Sequence, residues 1–319
     1  MVTIDLITGF LGSGKTTFLK KYAEYLMNQG LHIGILENDF GAINVDMLML
    51  HELRGDQCEL EMIAGGCDAE SHRRRFRTKL ISMRMCGYDR VLVEPSGIYD
   101  VDEFFDVLRE DPLDQWCEIG NVIAILDARL EKNLSEQADY LLASEVANAG
   151  KVILSHADAA TKEQCEDTVA HLNRALEQIH CDRRIDPEKD ILQKNLTELT
   201  EDDLKEVSQC GYLLKSYRKM DLEDDQTFDS LFFMEEKITP EALERAVPRL
   251  FSDKSCGEVF RIKGFVKNKD GQWMELNATH DSRTLEPITV GQEVLIVIGE
   301  HLQEDKIREI LKEEETCQS

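Results

Sequence analysis

The chain has 319 residues, a length for which about two domains are expected. Lys and Arg number 37 and Asp and Glu number 63, so the formal net charge is −26. This charge argues against binding along a nucleic-acid backbone or docking on an anionic membrane. The longest aliphatic runs, Val122–Leu126 and Val294–Ile298, are far shorter than the roughly 20 residues of a membrane-spanning helix. Nine scattered cysteines and the lack of a signal-peptide pattern predict a soluble, cytoplasmic protein with reduced thiols.

Short β-branched runs alternate with helical patterns in the first half of the chain. Such continuous apolar strands indicate parallel pairing with helices on both faces, so the predicted fold class is α/β with a doubly wound, mostly parallel sheet. The predicted strands are Thr3–Thr8, His32–Leu36, Leu60–Ile63, Arg90–Val93, Val122–Leu126 and Val152–Leu154. The predicted helices are Thr16–Asn28, Glu70–Met85, Val101–Arg109 and Ser135–Asn148, and glycine follows three of them as a helix stop.

The remainder of the chain changes character. Residues 160–222 are strongly polar, with helical patterns at Lys162–Ile179 and Glu201–Cys210. The acidic run Asp221–Gln226 has no apolar face to bury. We therefore expect a first domain over 1–222, with 160–222 as a polar helical extension, and a smaller α+β domain over 223–319. In the second domain we expect four or five mostly antiparallel strands backed by two helices, Pro240–Leu250 and Asp305–Lys312.

A phosphate-binding motif follows the first predicted strand. Gly9–Thr16 matches G-x-x-x-x-G-K-[ST] at every fixed position and opens the first helix. Its glycines let backbone N–H groups surround a phosphate, Lys15 reaches the β- and γ-phosphates, and Thr16 ligates Mg²⁺. We predict a nucleoside-triphosphate site. The predicted nucleotide-binding residues of this segment are Gly9, Gly12, Ser13, Gly14, Lys15, Thr16 and Thr17.

Three further segments follow predicted strands: Glu37–Gly41, Glu94–Gly97 and Ser155–Asp158. Together with the phosphate loop, they resemble the CobW-type branch of P-loop GTPases, to which the nickel-enzyme maturation GTPases HypB and UreG are related. The stretch from Val259 to Gly299 also resembles the CobW C-terminal domain. The resemblance covers most of the chain and implies a P-loop NTPase sheet. It also implies GTP hydrolysis used to deliver metals or to mature metal- or corrinoid-containing enzymes.

The segment Ser155-His156-Ala157-Asp158 occupies the position of the base-reading loop. One carboxylate can accept both N1–H and the N2 amino group of guanine, so Asp158 favours GTP. The family usually has Asn-Lys-x-Asp or Thr-Lys-x-Asp here, and His156 could stack on the base in place of the lysine. Weak or dual base selection is the alternative, and Asp158 could instead cap the helix that follows.

The resemblance also implies the groups that hold Mg²⁺ and act in hydrolysis. Asp39 takes the acidic position of the family's Asn-Glu-x-Gly segment, and Glu94 leaves the strand beside the phosphate loop. We predict Lys15, Asp39 and Glu94 as catalytic residues, and Thr16, Asp39 and Glu94 as the Mg²⁺ site. The alternative for both acids is a surface position at a strand end. We identify no catalytic arginine in the nearby sequence, so slow intrinsic turnover is expected.

The family's metal motif is mostly missing. Where the family has Gly-Cys-x-Cys-Cys, this chain has Gly66-Cys67-Asp68-Ala69-Glu70. Cys67 and Glu70 remain as candidate transition-metal ligands, with His72, Cys58 or Cys86 as further candidates. The alternative is a buried or merely residual Cys67, with Asp68 capping the helix that follows. A soft three-sulfur site cannot form from these residues, so we predict no stoichiometric transition metal.

Four arginines stand within the five residues Arg73–Arg77. Arg73 and Arg77 share a helical face, which is either a solvated face paired to nearby acids or a docking patch for an acidic partner or a phosphate-bearing cofactor. The lone histidines His51, His171 and His180 are predicted to be surface residues.

The leading hypothesis from the sequence is a GTP-hydrolysing maturation factor with GTP and GDP as ligands and an unknown client protein. A small-molecule kinase on the same P-loop scaffold, and a nucleotide-binding scaffold with little turnover, are the alternatives.

Overall fold

The computed structural model describes residues 1–39, 50–64, 69–96, 99, 101–131, 134–220, 228–234, 238–280, 282–289 and 291–316. Of residues 39, 64, 69, 228 and 229 only the backbone is described. The chain divides into two compact units, Met1–Met220 and Asp221–Ser319.

The first unit contains a seven-stranded sheet whose paired strands are all parallel, in the order β3-β2-β4-β1-β5-β6-β7. The strands are β1 Val2–Thr8, β2 Ile33–Asp39, β3 Cys58–Ala64, β4 Arg90–Pro95, β5 Cys117–Asp127, β6 Lys151–Ser155 and β7 Ile191–Gln193. The helices are α1 Lys15–Asn28, α2 Ala69–Cys86, α3 Val101–Leu108, α4 Leu113–Trp116, α5 Glu136–Ala147, α6 Lys162–Gln178 and α7 Glu201–Val207. Short 3₁₀ helices cover His51–Leu53 and Leu196–Glu198.

Both faces of this sheet are covered, as the apolar strands predict. Ile123 and Ile125 of β5 pack in a core with α1 and α7. Val122, Ala124 and Leu126, which alternate with them and therefore point to the opposite face, are equally buried. The predicted doubly wound α/β fold is confirmed.

One strand of the sheet is missing from the sequence prediction. The three-residue strand β7 pairs in parallel with β6 and forms the edge of the sheet on that side. Leu196, Leu204 and Val207, from the region predicted as a polar helical extension, are buried in the core beside α1. This region therefore contributes to the sheet and its core, although most of its surface residues are polar.

A buried polar cluster joins the middle of β1 to its neighbours. Asp5 accepts hydrogen bonds from Tyr22 Oη at 2.9 Å and from the backbone N–H of Asn121 at 2.8 Å, and Arg90 Nη1 lies 3.3 Å from its carboxylate. Burial raises the pKa of Asp5, while Arg90 and these hydrogen bonds act in the opposite direction. A Cβ at Gly120 of β5 would lie 2.3 Å from Asp5 Oδ1, so the carboxylate leaves no room for a side chain at this position.

The second unit has a five-stranded antiparallel sheet in the order β11-β10-β9-β12-β8. The strands are β8 Phe228–Met234, β9 Glu258–Lys267, β10 Trp273–Thr279, β11 Arg283–Ile288 and β12 Val294–Glu300. The helices α8 Pro240–Ser252 and α9 Glu304–Thr316 pack with the sheet around one core, and Lys254–Cys256 forms a 3₁₀ helix. The predicted smaller α+β domain is confirmed. None of the helices in the described part of the chain is both long and apolar enough to span a bilayer.

One histidine contradicts its predicted surface position. His171 of α6 is buried, and its Nε2 lies 2.6 Å from Asp139 Oδ1 on α5. The pair joins two neighbouring helices, a contact that helical periodicity alone does not reveal. His51 and His180 are exposed, as predicted.

Candidate nucleotide-binding site

The phosphate loop connects the end of β1 to the start of α1. Gly9 and Gly14 have φ angles of 147° and 91°, a region that side chains rarely adopt. A Cβ on Gly9 would lie 2.0 Å from the carbonyl oxygen of Ile125, so the loop begins in direct contact with β5. A Cβ on Gly14 would lie 2.8 Å from Leu196 Cδ1, so Leu196 closes over the other end of the loop.

Lys15 is the first residue of α1 and is buried. Its Nζ donates a 2.8 Å hydrogen bond to the carbonyl oxygen of Gly9, the first residue of the motif. The ammonium group therefore lies across the phosphate loop, where Lys15 is predicted to contact the β- and γ-phosphates. Glu145 of α5 is fully buried, and Lys15 is the charge that most affects it. Burial raises the pKa of Glu145 well above its ordinary value, whereas the attraction of Lys15 lowers it.

Thr16 and Glu94 meet at the start of α1. Thr16 Oγ1 donates a 2.8 Å hydrogen bond to Glu94 Oε1 at the end of β4. Glu37 on β2 is the register partner of Glu94, and both carboxylates are buried. Two acids on adjacent strands beside a threonine hydroxyl are a set of hard oxygen donors, the kind that Mg²⁺ prefers. Glu94 is therefore not the surface acid of the alternative prediction.

The phosphate loop and the neighbouring strand ends also carry buried polar side-chain atoms without a hydrogen-bond partner among the described residues. They are Thr8 Oγ1, Ser13 Oγ, the side-chain amide of Asn38 and Ser96 Oγ. These residues stand at the ends of the neighbouring strands β1, β2 and β4 or on the phosphate loop. Buried polar groups in native proteins are normally satisfied. The cluster thus fits a polar ligand, and a triphosphate with a hydrated Mg²⁺ supplies the oxygens and water that these groups need.

The segment predicted to read the base follows β6 directly. Ser155 is buried, and its hydroxyl donates a 3.0 Å hydrogen bond to the carbonyl oxygen of Leu126. His156 and Asp158 lie in the turn that follows, with Asp158 exposed. The helix α6 is capped by Thr161, whose side chain accepts from Gln164 N. Asp158 is therefore not the helix cap of the alternative prediction.

Several predicted site residues stand apart from this constellation or lie outside the described residues. Thr17 is exposed on α1. Asp39 ends β2, but its side chain lies outside what the structure describes, as does the whole of Cys67. Glu70 opens α2 with its side chain 84% exposed, 3.2 Å from Arg74.

The other predicted transition-metal ligands do not form a metal site with Glu70. Cys58 begins β3 and belongs to the core, where burial raises the pKa of its thiol to about 11. Cys86 is 16 residues further along α2, about 24 Å away at 1.5 Å per residue. His72 is buried with Nδ1 3.6 Å from Glu103. Within the described residues, no three His, Cys, Asp or Glu side chains are arranged to hold a metal ion.

The arginine run is largely paired to acids. Arg73 and Arg77 both contact Glu110, at 2.6 Å and 3.2 Å, and Arg74 contacts Glu70. For these three arginines, the prediction of a solvated face paired to nearby acids is confirmed.

Comparison with known proteins identifies the family. The family model for the CobW/HypB/UreG nucleotide-binding domain matches residues 3–185, and that for the cobalamin synthesis protein CobW C-terminal domain matches residues 230–314. The chain belongs to the CobW family. The resemblance inferred from its motifs is thereby confirmed, and the chain is a member of a family of P-loop GTPases.

Two curated relatives are both from Escherichia coli K12. The chain is 28% identical over 188 residues to the zinc chaperone YjiA, a match covering 54% of this chain and 55% of YjiA. It is 27% identical over 164 residues to the zinc chaperone YeiR, covering 51% of this chain and 49% of YeiR. The chain thus spans about half the length of the curated relatives it matches. A crystal structure of Zn(II)-bound YjiA GTPase is matched over 98% of both chains with a TM-score of 0.37 and 20% identity, so the family assignment rests on sequence.

Sequence reasoning missed three residues of this site. Glu37 stands two residues before Asp39, the acid that the resemblance selected on this strand, and Leu196 lies beyond residues 3–185, the part matched by the nucleotide-binding family model. Asp127 is the third, and its Oδ2 lies 2.8 Å from His156 Nδ1. Its position in the sequence could have identified it. Asp127 directly follows the predicted strand Val122–Leu126, and ligands bind at the carboxyl ends of the strands in a parallel sheet.

Proposed function

We propose that this CobW-family protein binds GTP with Mg²⁺ and hydrolyses it, and that its GTP cycle serves the maturation of a metal- or corrinoid-dependent client protein. The observation that carries the proposal is the phosphate loop with Thr16 bonded to Glu94, beside the cluster of unsatisfied buried polar groups. Two relatives named as zinc chaperones support a role in metal handling over the part of the chain that they match.

The reaction is hydrolysis of the bond between the β- and γ-phosphates. Lys15 exchanges its hydrogen bond with the Gly9 carbonyl for phosphate oxygens, and the loop amides from Gly12 to Thr16 hold the charge that develops there. Thr16, Asp39 and Glu94 would hold Mg²⁺, which neutralises charge on the β- and γ-phosphates when bound.

Base selection is assigned to the turn after β6. The exposed carboxylate of Asp158 is free to accept N1–H and the N2 amino group of guanine, whereas adenine offers an acceptor at N1. Competition of unlabelled GTP and ATP for a bound fluorescent GDP analogue tests this assignment. Preferential displacement by GTP is expected, and equal displacement by ATP contradicts it.

Phosphate release tests the proposed hydrolysis. Lys15→Ala should abolish Mg²⁺-dependent phosphate release from GTP while leaving the circular dichroism spectrum unchanged. Lys20→Ala is the matched control, because Lys20 lies on the same helix but pairs with the exposed Glu52. Unchanged turnover in a folded Lys15→Ala protein would contradict the mechanism. Phosphate release that appears only with an added acceptor would point instead to a small-molecule kinase.

A further inference from the structure

The helix α2 is strongly basic in an acidic chain. It carries five arginines and one lysine but a single acid, Glu70, whereas the whole chain has a formal net charge of −26. Such a chain repels acidic molecules as a whole, so a concentrated basic surface is where an acidic partner is attracted to it. The periodicity of the helix divides its cations between two faces.

One of these faces is turned toward the segment that follows α3. Arg73 and Arg77 lie on it and both contact Glu110, at 2.6 Å and 3.2 Å. Arg77 also donates a hydrogen bond to the carbonyl oxygen of Asp111 at 2.5 Å. These two arginines therefore join α2 to a neighbouring segment of the first unit.

The other basic face borders a groove between α2 and β3. The groove has a volume of about 510 Å³, and Met62 and Ile63 of β3 form its apolar side. Arg74, Arg75 and Lys79 of α2 form its basic side. The two arginines are exposed, Met62 is half-buried and Ile63 is buried. The groove thus combines an apolar surface with three cations.

The acids beside the groove do not use up the donors of its cations. Glu70 contacts Arg74 through one nitrogen, Nη2, at 3.2 Å, and the two side chains are 84% and 74% exposed. An exposed pair of this kind is weak, and a guanidinium group has further N–H donors. Lys79 donates to Glu61 of β3 at 2.8 Å, which leaves two of its three ammonium protons for other acceptors. A carboxylate that enters the groove therefore finds donors on both residues.

The strand β3 lies at the edge of its sheet. It pairs with β2 from Cys58 to Ala64, and no other described strand pairs with it. The backbone groups on the outer side of an edge strand can pair with an added extended segment, a common way of binding peptides. Because Met62 and Ile63 belong to this strand, an extended segment in the groove lies beside the edge.

We propose that the groove between β3 and α2 is a docking site for a short, extended, acidic segment of a partner protein. Its carboxylates pair with the three cations of α2, and an apolar side chain between them packs on Met62 and Ile63. None of the described residues that line the groove is aromatic, so it has no platform for stacked bases, which favours a peptide over a nucleic-acid strand. The order β3-β2-β4-β1 separates the groove from the phosphate loop, and the inference does not rest on the proposed GTP binding.

Binding of a labelled Glu-Glu-Leu-Glu-Glu peptide to the full-length protein, followed by fluorescence anisotropy, tests the site. Wild type should bind the peptide saturably, and more weakly as salt is raised. Arg74→Gln/Arg75→Gln should weaken binding at least about tenfold, because two carboxylate–arginine contacts are lost. Glutamine is a good helix former at exposed positions, so the circular dichroism spectrum should stay unchanged.

Arg73→Gln/Arg77→Gln is the matched control. It makes the same charge change on the same helix, but on the face that contacts Glu110. Its peptide affinity should stay within about threefold of wild type, because salt screens charges that do not contact the peptide. Equal losses in the two double variants would show that the net charge of α2, and not the groove, attracts the peptide. That result, or a wild-type protein that does not bind the peptide, would overturn the proposal.

Changes in the probe test the two sides of the groove separately. Gln-Gln-Leu-Gln-Gln lacks the carboxylates and should lose binding, and Glu-Glu-Ser-Glu-Glu lacks the apolar side chain and should bind several-fold more weakly. Equal affinity for the serine peptide would contradict docking on Met62 and Ile63. A short oligothymidine that binds more tightly than the peptide, with the same loss in Arg74→Gln/Arg75→Gln, would assign the groove to nucleic acid and overturn the proposal.

Discussion

Thr16 at the start of α1 donates a 2.8 Å hydrogen bond to Glu94 at the end of β4. The bond ties the start of α1 to the adjacent strand and places the Thr16 hydroxyl beside the Glu94 carboxylate, two of the hard oxygen donors that Mg²⁺ prefers. Thr16 and Glu94 would hold Mg²⁺, which would neutralise charge on the β- and γ-phosphates.

For Mg²⁺ binding, we expect the negative charge of Glu94 to contribute more than its hydrogen bond with Thr16. Glu94→Gln keeps an oxygen that can accept from Thr16 but removes the negative charge that attracts Mg²⁺. We expect the Mg²⁺ concentration for half-maximal phosphate release to rise by at least about tenfold, the effect of roughly 1.4 kcal/mol. Glu118→Gln is the matched control, because Glu118 accepts a 2.9 Å bond from Thr3 at the opposite end of the same sheet. An unchanged Mg²⁺ dependence in Glu94→Gln would contradict the assignment.

The buried carboxyl of Glu145 should make stability depend on pH. Burial raises its pKa well above 4.5, although Lys15 opposes the shift, and neither oxygen has a hydrogen-bond partner among the described residues. Above pH 4.5 the unfolded chain loses this proton while the folded chain keeps it. The free energy of unfolding therefore falls as pH rises toward the folded pKa, by at most about 1.4 kcal/mol per pH unit.

Glu145→Gln removes that titration. The variant should match wild type near pH 4 and become progressively more stable than wild type between pH 5 and pH 8. Urea unfolding at three pH values measures this difference. Parallel pH profiles of the two proteins would show that Glu145 does not keep its proton in the folded state.

Gly120→Ala should destabilise the first unit. A Cβ there would lie 2.3 Å from Asp5 Oδ1 and 2.5 Å from Thr3 Cγ2, so the buried carboxylate or the strand must shift. Overpacking of this kind costs about 1–3 kcal/mol. Gly55→Ala is the control, because a Cβ at Gly55 meets no atom within 4 Å, and its effect should stay within about 0.5 kcal/mol. Equal urea midpoints for the two variants would contradict the packing argument.

These residues show what the sequence could and could not predict. The phosphate loop and six strands of the first sheet follow from local patterns, a fixed motif and runs of apolar residues. Asp5 in the middle of a strand gives no local sign of burial, because its partners come from α1, β4 and β5. The His171–Asp139 and His156–Asp127 pairs likewise join residues about 30 apart. Strand β7 has only three residues, which is too short for an alternation of apolar and polar residues to be recognised in the sequence.

We propose that the two domains can be separated near the acidic run 221–226. The sequence predicts first cleavage between roughly Gln209 and Asp229, and the structure narrows that interval. The N–H groups of Gly211, Leu213 and Arg218 are hydrogen-bonded to Asn121, Asn148 and Ile179, respectively. Brief trypsin digestion followed by mass spectrometry should therefore give a first cut after Lys219 and not after Lys215 or Arg218, whose N–H groups are bonded to Asn148 and Ile179. Earlier cleavage within 90–150 would show that the boundary is wrong.

The last prediction concerns metal content. The three sulfur ligands of the family motif are reduced here to Cys67, with alanine and glutamate in the other two positions. The Glu70 carboxylate is 84% exposed and beside Arg74, and Cys58 and Cys86 lie too far along their elements to complete a site with it. Oxygen donors in place of thiolates weaken binding of thiophilic ions. We expect purified protein to carry Mg²⁺ only with nucleotide and no stoichiometric transition metal, and Cys67→Ser to change GTP hydrolysis little. Elemental analysis measures this directly: one zinc or cobalt per chain, lost in Cys67→Ser, would show that the reduced motif still binds metal.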